Sequence, residues 1–201
     1  MTNTLQKDMN KRKWVPFNQL NQVYSNKTCL STTPINENEH AKPMHSNVVV
    51  LNTRVNFRFH PDKYKEIRSH IDIKAHRMIR ADKALFHQME GSVIPKRFWD
   101  CDIDFLSNGV GFCVMHDDKP AAFSFSAFVH DSILELGIET NASCRGRGFA
   151  ILACAALIDY CLESNLEPVW SCRLENIGSY RLALKLGFEP VMHLPYYKLC
   201  G

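Results

Sequence analysis

Ile133-Leu134-Glu135-Leu136-Gly137-Ile138-Glu139-Thr140, then Asn141-Ala142-Ser143-Cys144-Arg145-Gly146-Arg147, then Gly148-Phe149-Ala150 and an apolar run to Leu162: this stretch decides the fold. The first part reads as a strand, the second as a polar loop and the third as a helix. The helix is apolar almost all round, which requires burial on several sides. A helix start presents backbone N–H groups without partners and a partial positive charge. Gly146 and Gly148 let the backbone turn tightly and approach an anion with no Cβ in the way. Arg145 and Arg147 add two fixed positive charges, and a guanidinium binds phosphate bidentately. A phosphate-bearing ligand suits such a junction. Two other phosphate loops are excluded by pattern. No Lys-Ser/Thr follows the glycines, and a dinucleotide fingerprint needs three glycines where only two fit.

Upstream, Val110–Met115 is apolar and rich in β-branched and aromatic residues, and His116-Asp117-Asp118-Lys119 is a turn. Pro120 to Val129 follows, with Ala121, Phe123, Phe125 and Ala127 alternating against Ala122, Ser124, Ser126 and Phe128. A tight Asp-containing turn between two such runs predicts a hairpin. Further upstream, Val48–Leu51 and Val55–Phe59 read as two short strands, and Pro61 opens a helix to about Ile71. A second helix is expected over Ile79–Met89, because Leu85 and Met89 lie four apart. A short helix is expected over Cys101–Leu106. Downstream, Asn165 stops the buried helix and Pro168–Leu174 is a strand. Asn176 N-caps a helix over Ile177–Leu186, and Gly187 ends it. Phe188–Met192 and Tyr196–Leu199 close the chain as two strands. The fold class is α/β (α+β): a mixed, mostly antiparallel central sheet flanked by helices.

A chain of 201 residues holds one ordinary domain with a tail. Residues 1–46 are rich in Asn, Thr, Ser, Lys and Gln and broken by prolines, so a mobile or loosely docked extension is expected there. Residues 47–201 form the expected domain. Hydrophobic residues at 45% and charged residues at 22% fit a globular protein. No apolar run approaches the roughly 20 residues of a membrane span, and Met1–Asn10 is polar, so a cytoplasmic protein is expected. The eight cysteines form no Cys-x-x-Cys pair and are read as reduced. The nine histidines show no metal-ligand spacing, and no metal is expected. Residues 99–140 carry one base, Lys119, and eight acids, a block that would attract a cationic partner or simply form a solvated acidic face.

Arg145-Gly146-Arg147-Gly148-Phe149-Ala150 resembles the Arg/Gln-x-x-Gly-x-Gly/Ala signature of the GNAT superfamily of N-acetyltransferases. Asn176 to Phe188, ending in Leu186-Gly187-Phe188, resembles that superfamily's Asn-containing helix. The similarity covers about residues 95–199 and is nearest to a bacterial branch, through Phe98-Trp99-Asp100, Gly109-Val110-Gly111-Phe112, Ile138-Glu139-Thr140 and Pro168-Val169-Trp170. The resemblance implies acetyl-CoA as co-substrate, lying between splayed strands 133–140 and 168–174. The backbone of Ile138 to Thr140 would meet the pantetheine arm, and the amides of Arg145, Gly146, Arg147, Gly148, Phe149 and Ala150 the pyrophosphate. Asn176 and Ser179 would contact the cofactor arm, a role compatible with Asn176 as a plain N-cap.

Transfer to an amine needs a base to take the proton. Glu135 and Glu139 share parity on strand 133–140 and project from one face. Glu139 is expected as the base and Glu135 as amine binder or relay; both could instead be surface carboxylates. The superfamily's usual Tyr acid is replaced by Ala183. Ser179, Tyr180, Tyr196 and Tyr197 are alternatives among which the sequence does not select. The expected activity is acetyl-CoA-dependent N-acetylation of a small-molecule or peptidyl primary amine. A non-catalytic acyl-CoA-binding or sensing module is the competing reading. No membrane partner is expected, a homodimer is left open, and a nucleic-acid partner is not expected, since the basic first 98 residues lack aromatic interleaving.

Overall fold

The computed structural model describes residues 48–200. The expected extension over residues 1–46 lies outside the described residues. The chain runs β1 (Val48–Phe59), α1 (Pro61–Arg68), a 3-10 turn (Ile73–Ala75), β2 (Met78–Arg80), α2 (Lys83–Gln88), a 3-10 turn (Pro95–Arg97), α3 (Asp102–Asn108), β3 (Gly111–His116), β4 (Lys119–His130), β5 (Ile133–Thr140), a 3-10 turn (Ala142–Cys144), α4 (Phe149–Glu163), β6 (Glu167–Arg173), α5 (Ile177–Lys185) and β7 (Phe188–Cys200). The seven strands form one mixed sheet in the order β2-β3-β4-β5-β6-β1-β7.

Local chemistry builds the centre as expected. Asp117 and Asp118 both adopt left-handed φ, 49° and 57°, as a two-residue hairpin turn that matches strand twist requires. β3–β4 and β4–β5 are antiparallel. β5 and β6 are parallel and joined through α4, the crossover a parallel pair demands. α4 is apolar on most sides because it is covered on most sides. Cys154, Leu157, Ile158 and Cys161 are fully buried against Val55, Leu134, Leu136 and Trp170. On the sheet's other face, α2 and α3 cover β3 and β4, where Leu85, Phe86, Phe105, Phe123 and Phe125 form a second core. β4 is thus buried on both faces.

α1 is locked onto α4 by polar contacts. The Tyr64 hydroxyl donates to Asp159 Oδ1 at 2.7 Å, and Arg68 Nε donates to Asp159 Oδ2 at 2.7 Å.

Three expectations are corrected. Ile79 lies on strand β2, paired with Cys113, and the helix begins only after Asp82, whose carboxylate accepts from the Leu85 amide at 2.8 Å. The cap sets the boundary that side-chain periodicity missed. The two short N-terminal strands are one 12-residue strand, β1. The two C-terminal strands are also one, β7, which runs through Pro190 and Pro195. Those prolines are tolerated because β7 is an edge strand, where a missing N–H breaks no ladder on its open side.

Burial pushes the thiols of Cys113, Cys154 and Cys161 up to about 12. Neutral thiols are poor nucleophiles. Iodoacetamide at pH 8 should therefore leave these three unmodified in the native protein and label them after unfolding, as read by peptide mass mapping. Native labelling of Cys154 at the rate of exposed Cys101 would contradict the packing described.

Candidate active site

β5 and β6 pair only over Ile133–Glu135 and Glu167–Val169. Beyond that the ladder stops and a cleft of about 140 Å³ opens. Its walls include Leu136, Gly137 and Ile138 of β5 and Trp170, Ser171, Cys172 and Arg173 of β6, with Arg54, Val93, Asn176 and Ser179 around them. Strands joined at one end and separated at the other leave backbone groups unpaired along the walls, ready for an extended polar ligand.

At the open end lies the glycine loop. Gly146 and Gly148 have φ of 75° and 84°, a conformation costly to any residue with a Cβ. No heavy atom outside their chain neighbours lies within 4 Å of where either Cβ would stand, so the space is open to a ligand. Gly148 starts α4 with no side chain capping the helix, which leaves the first-turn amides to solvent or an anion. Arg145 and Arg147 are exposed. Arg145 Nε donates to Thr140 O at 3.3 Å, and Arg147 stacks 5.1 Å from the ring centroid of Phe149. Phe149 is buried between His76 and His116, at 5.0 and 5.1 Å, and Ala150 is half-buried behind it. The uncapped amides, the open glycines and the two guanidiniums fit a pyrophosphate.

Asn176 N-caps α5: its Oδ1 accepts from the Ser179 amide at 3.1 Å. Ser179 Oγ accepts from Trp170 Nε1 at 3.1 Å, which ties α5 to the cleft wall. Ile138 and Thr140 pair with Ser124 and Ala122 of β4, so only the Ile138 side of the strand borders the cleft.

The two carboxylates have different surroundings. Glu139 Oε2 accepts from the Ser92 and Val93 amides at 2.8 and 2.9 Å, and Oε1 lies 3.6 Å from an Arg145 nitrogen. This carboxylate ties residues 92–93, one of which borders the cleft, to β5. Glu135 sits where the two strands part. Its Oε1 accepts from Arg54 Nη2 at 3.1 Å and from Ser171 Oγ at 2.5 Å. Both carboxylates lie on the sheet face opposite Leu134, Leu136 and Trp170.

Sequence reasoning missed Arg54, Val93 and Ser171. Arg54 fell between two expected strands, yet Arg54-Asn56-Arg58 alternate with Val55-Phe57-Phe59, a period-two signal that extends one residue further back than was read. The acidic block of residues 99–140 does not become an acidic face. Asp117, Asp118 and Asp131 occupy turns, Asp102 lies 3.2 Å from Lys83, and Glu135 and Glu139 are engaged as above. Phe98 and Trp99 pack inward, the indole N–H donating to Ser126 O at 2.7 Å. Ala183 is fully buried, so a longer side chain there would enter the core. Of the alternative hydroxyls, Tyr180 packs its ring on Phe57, Ser179 lines the cleft, Tyr196 is near enough to Arg54 to influence its charge, and the Tyr197 side chain lies outside the described residues. Among the described residues no helix is long and apolar enough to cross a membrane.

A family model described as GNAT acetyltransferase matches residues 33–197. An uncharacterized N-acetyltransferase, YdfB, of Bacillus subtilis strain 168 is 32% identical over 102 residues, which are 51% of this chain and 39% of that protein. The match therefore spans well under half of that relative. A GCN5-related N-acetyltransferase-like protein from Streptococcus suis superposes with a TM-score of 0.65 at 21% identity, over 78% of this chain and 64% of the other. An aminoglycoside N-acetyltransferase, AAC(6')-Iy, in complex with CoA superposes with a TM-score of 0.51 at 22% identity, over 62% of this chain and all of that one. These two likenesses are of fold.

Proposed function

Because the chain belongs to the GNAT acetyltransferase family, we propose that it transfers an acetyl group from acetyl-CoA to a primary amine of a small molecule or peptide. The observation that carries this reading is the junction of an uncapped α4 start, two open left-handed glycines and two exposed arginines with the mouth of a strand-walled cleft. The amides and guanidiniums of residues 145–150 hold the pyrophosphate. The β5 edge at Ile138, with Asn176 and Ser179 opposite, flanks the arm.

This arrangement orders the two carboxylates. From Thr140 to Leu136 the strand covers about 13 Å at ~3.3 Å per residue. A ligand anchored at the loop and laid along β5 brings its reactive end to the point where the strands part. Glu135 stands there, while Glu139 stands at the loop end with two backbone amides on its carboxylate. We therefore assign Glu135 as the base and Glu139 as the brace of the loop at residues 92–93, reversing the order expected from sequence.

The donor supplies an acyl carbon activated as a thioester, to which the amine nitrogen bonds as the C–S bond breaks and the electron pair leaves on sulfur. Glu135 accepts the amine proton. Leu136 and Gly137 offer backbone groups at the same place.

The test is CoA release from acetyl-CoA with a panel of primary amines, run beside CoA binding by calorimetry. Turnover with at least one amine is expected. Replacing both Arg145 and Arg147 by Ala should weaken CoA binding on the order of 100-fold, since each charged hydrogen bond contributes about 1.5 kcal/mol. CoA binding with no turnover on any amine would leave the chain a non-catalytic acyl-CoA-binding module, the reading that the buried Ala183 favours.

A further inference from the structure

The strand beside β6 is not the next in sequence but the first described one. β1 lies between β6 and β7, antiparallel to β6, with Arg54 opposite Arg173 and Val55 opposite Cys172. The family match begins at residue 33 and includes β1, although the motifs that carry the sequence resemblance cover only about residues 95–199. The inward residues of β1, Val55, Phe57 and Phe59, join the core. Its other face carries Arg54, whose backbone lies opposite Arg173 and whose side chain reaches Glu135 at the closed end of the cleft.

Arg54 is half-buried, and burial lowers its pKa while the neighbouring Glu135 raises it. Two arginines directly across from each other on a strand pair repel. Arg54 is placed in that position, partly out of water, and gives Nη2 to Glu135 at 3.1 Å and a further hydrogen bond to Ser171 Oγ. Once desolvation is counted, such a pair adds little stability. What it does achieve is geometric. Both donors on Glu135, from Arg54 and from Ser171, fall on Oε1. Among the described residues Oε2 receives no donor, which leaves it for an incoming amine. The two bonds also fix the rotamer of a carboxylate that would otherwise be free to turn.

We propose that Arg54 is a positioning residue for acetyl transfer: with Ser171 it holds Glu135 aimed, so that the strand inserted between β6 and β7 completes the site. The proposal rests on Glu135 being the base. Among the described residues, the other charged and titratable groups near Arg54 include Arg173 across the ladder, Cys172 and Tyr196. None of them donates to Glu135.

The test compares Arg54→Met, Arg54→Lys and Ser171→Ala with the parent protein in kcat, KM and CoA affinity. Arg54→Met is expected to lower kcat about 10- to 100-fold at neutral pH and to leave KM for acetyl-CoA and CoA affinity within about twofold. Arg54→Lys, which keeps the charge but not the planar fork, should recover part of kcat. A merely structural role would weaken CoA affinity along with kcat and would show no recovery by Lys. If Arg54→Met fails to fold, Ser171→Ala carries the test, with a loss of about tenfold in kcat at unchanged CoA affinity. A folded, CoA-binding Arg54→Met with unchanged kcat overturns the proposal, as does an unchanged Ser171→Ala where Arg54→Met is unfolded. Glu135→Gln, measured alongside, separates the two readings. If it retains turnover, the base assignment falls; if it is inactive while Arg54→Met behaves as the parent, only the role of Arg54 falls.

Discussion

Glu135→Gln should reduce kcat by about 10²- to 10⁴-fold, the range general-base catalysis contributes, with CoA affinity unchanged within about twofold. The replacement keeps the side chain's shape and one acceptor oxygen, so Ser171 and Arg54 retain a partner on Oε1. It removes the charge and the oxygen that would take the proton. Glu139→Gln is the matched control. Its carboxylate is committed to the Ser92 and Val93 amides, and an amide oxygen still accepts from them, so kcat should fall by less than about tenfold if Glu139 has no proton to carry. The opposite ranking, with Glu139→Gln inactive and Glu135→Gln near the parent, would return the base to Glu139 and sink the assignment made above. Both variants are read by steady-state CoA release across pH with the best amine of the panel.

Phe125→Ala should destabilise the domain by about 3–5 kcal/mol, as truncating a buried Phe does. That approaches the whole stability of a marginal domain. Phe125 is fully buried, with ring contacts to Phe98, Phe105 and Phe123 at 5.6, 6.5 and 5.6 Å. It also fills the space over Gly137, where an added Cβ would meet the ring at 2.5 Å. The cavity would therefore open directly beneath the cleft wall. Urea denaturation should show a lower midpoint with an unchanged slope, and the protein that remains folded should lose transfer activity more than loop-held CoA binding. A midpoint shift worth less than about 1 kcal/mol would show that the second core relaxes into the space. The smaller substitution Phe125→Leu, closer in volume, should cost appreciably less.

Much of the site could be read locally. The hairpin turn at Asp117-Asp118, the strand over Ile133–Thr140, the glycine loop, the α4 start and the Asn176 cap all depend on residues within a few positions of one another, and each is found where the pattern placed it. The parity of Glu135 and Glu139 was legible for the same reason. Their partners were not. Glu139 is bonded to amides 46 and 47 residues away, and Glu135 to a guanidinium 81 residues away. The acidic run over 99–140 dispersed because successive turns send its members to different edges of the fold.

The sequence by itself determined the strand–loop–helix junction and the capped α5, since turn chemistry, left-handed glycines and helix ends are local requirements. Only the tertiary structure decided that β1 lies between β6 and β7, that Arg54 reaches Glu135, and that one carboxylate braces a loop while the other stands where the strands part. Strand order is set by which buried faces complement one another across the whole core, a condition that no short window contains.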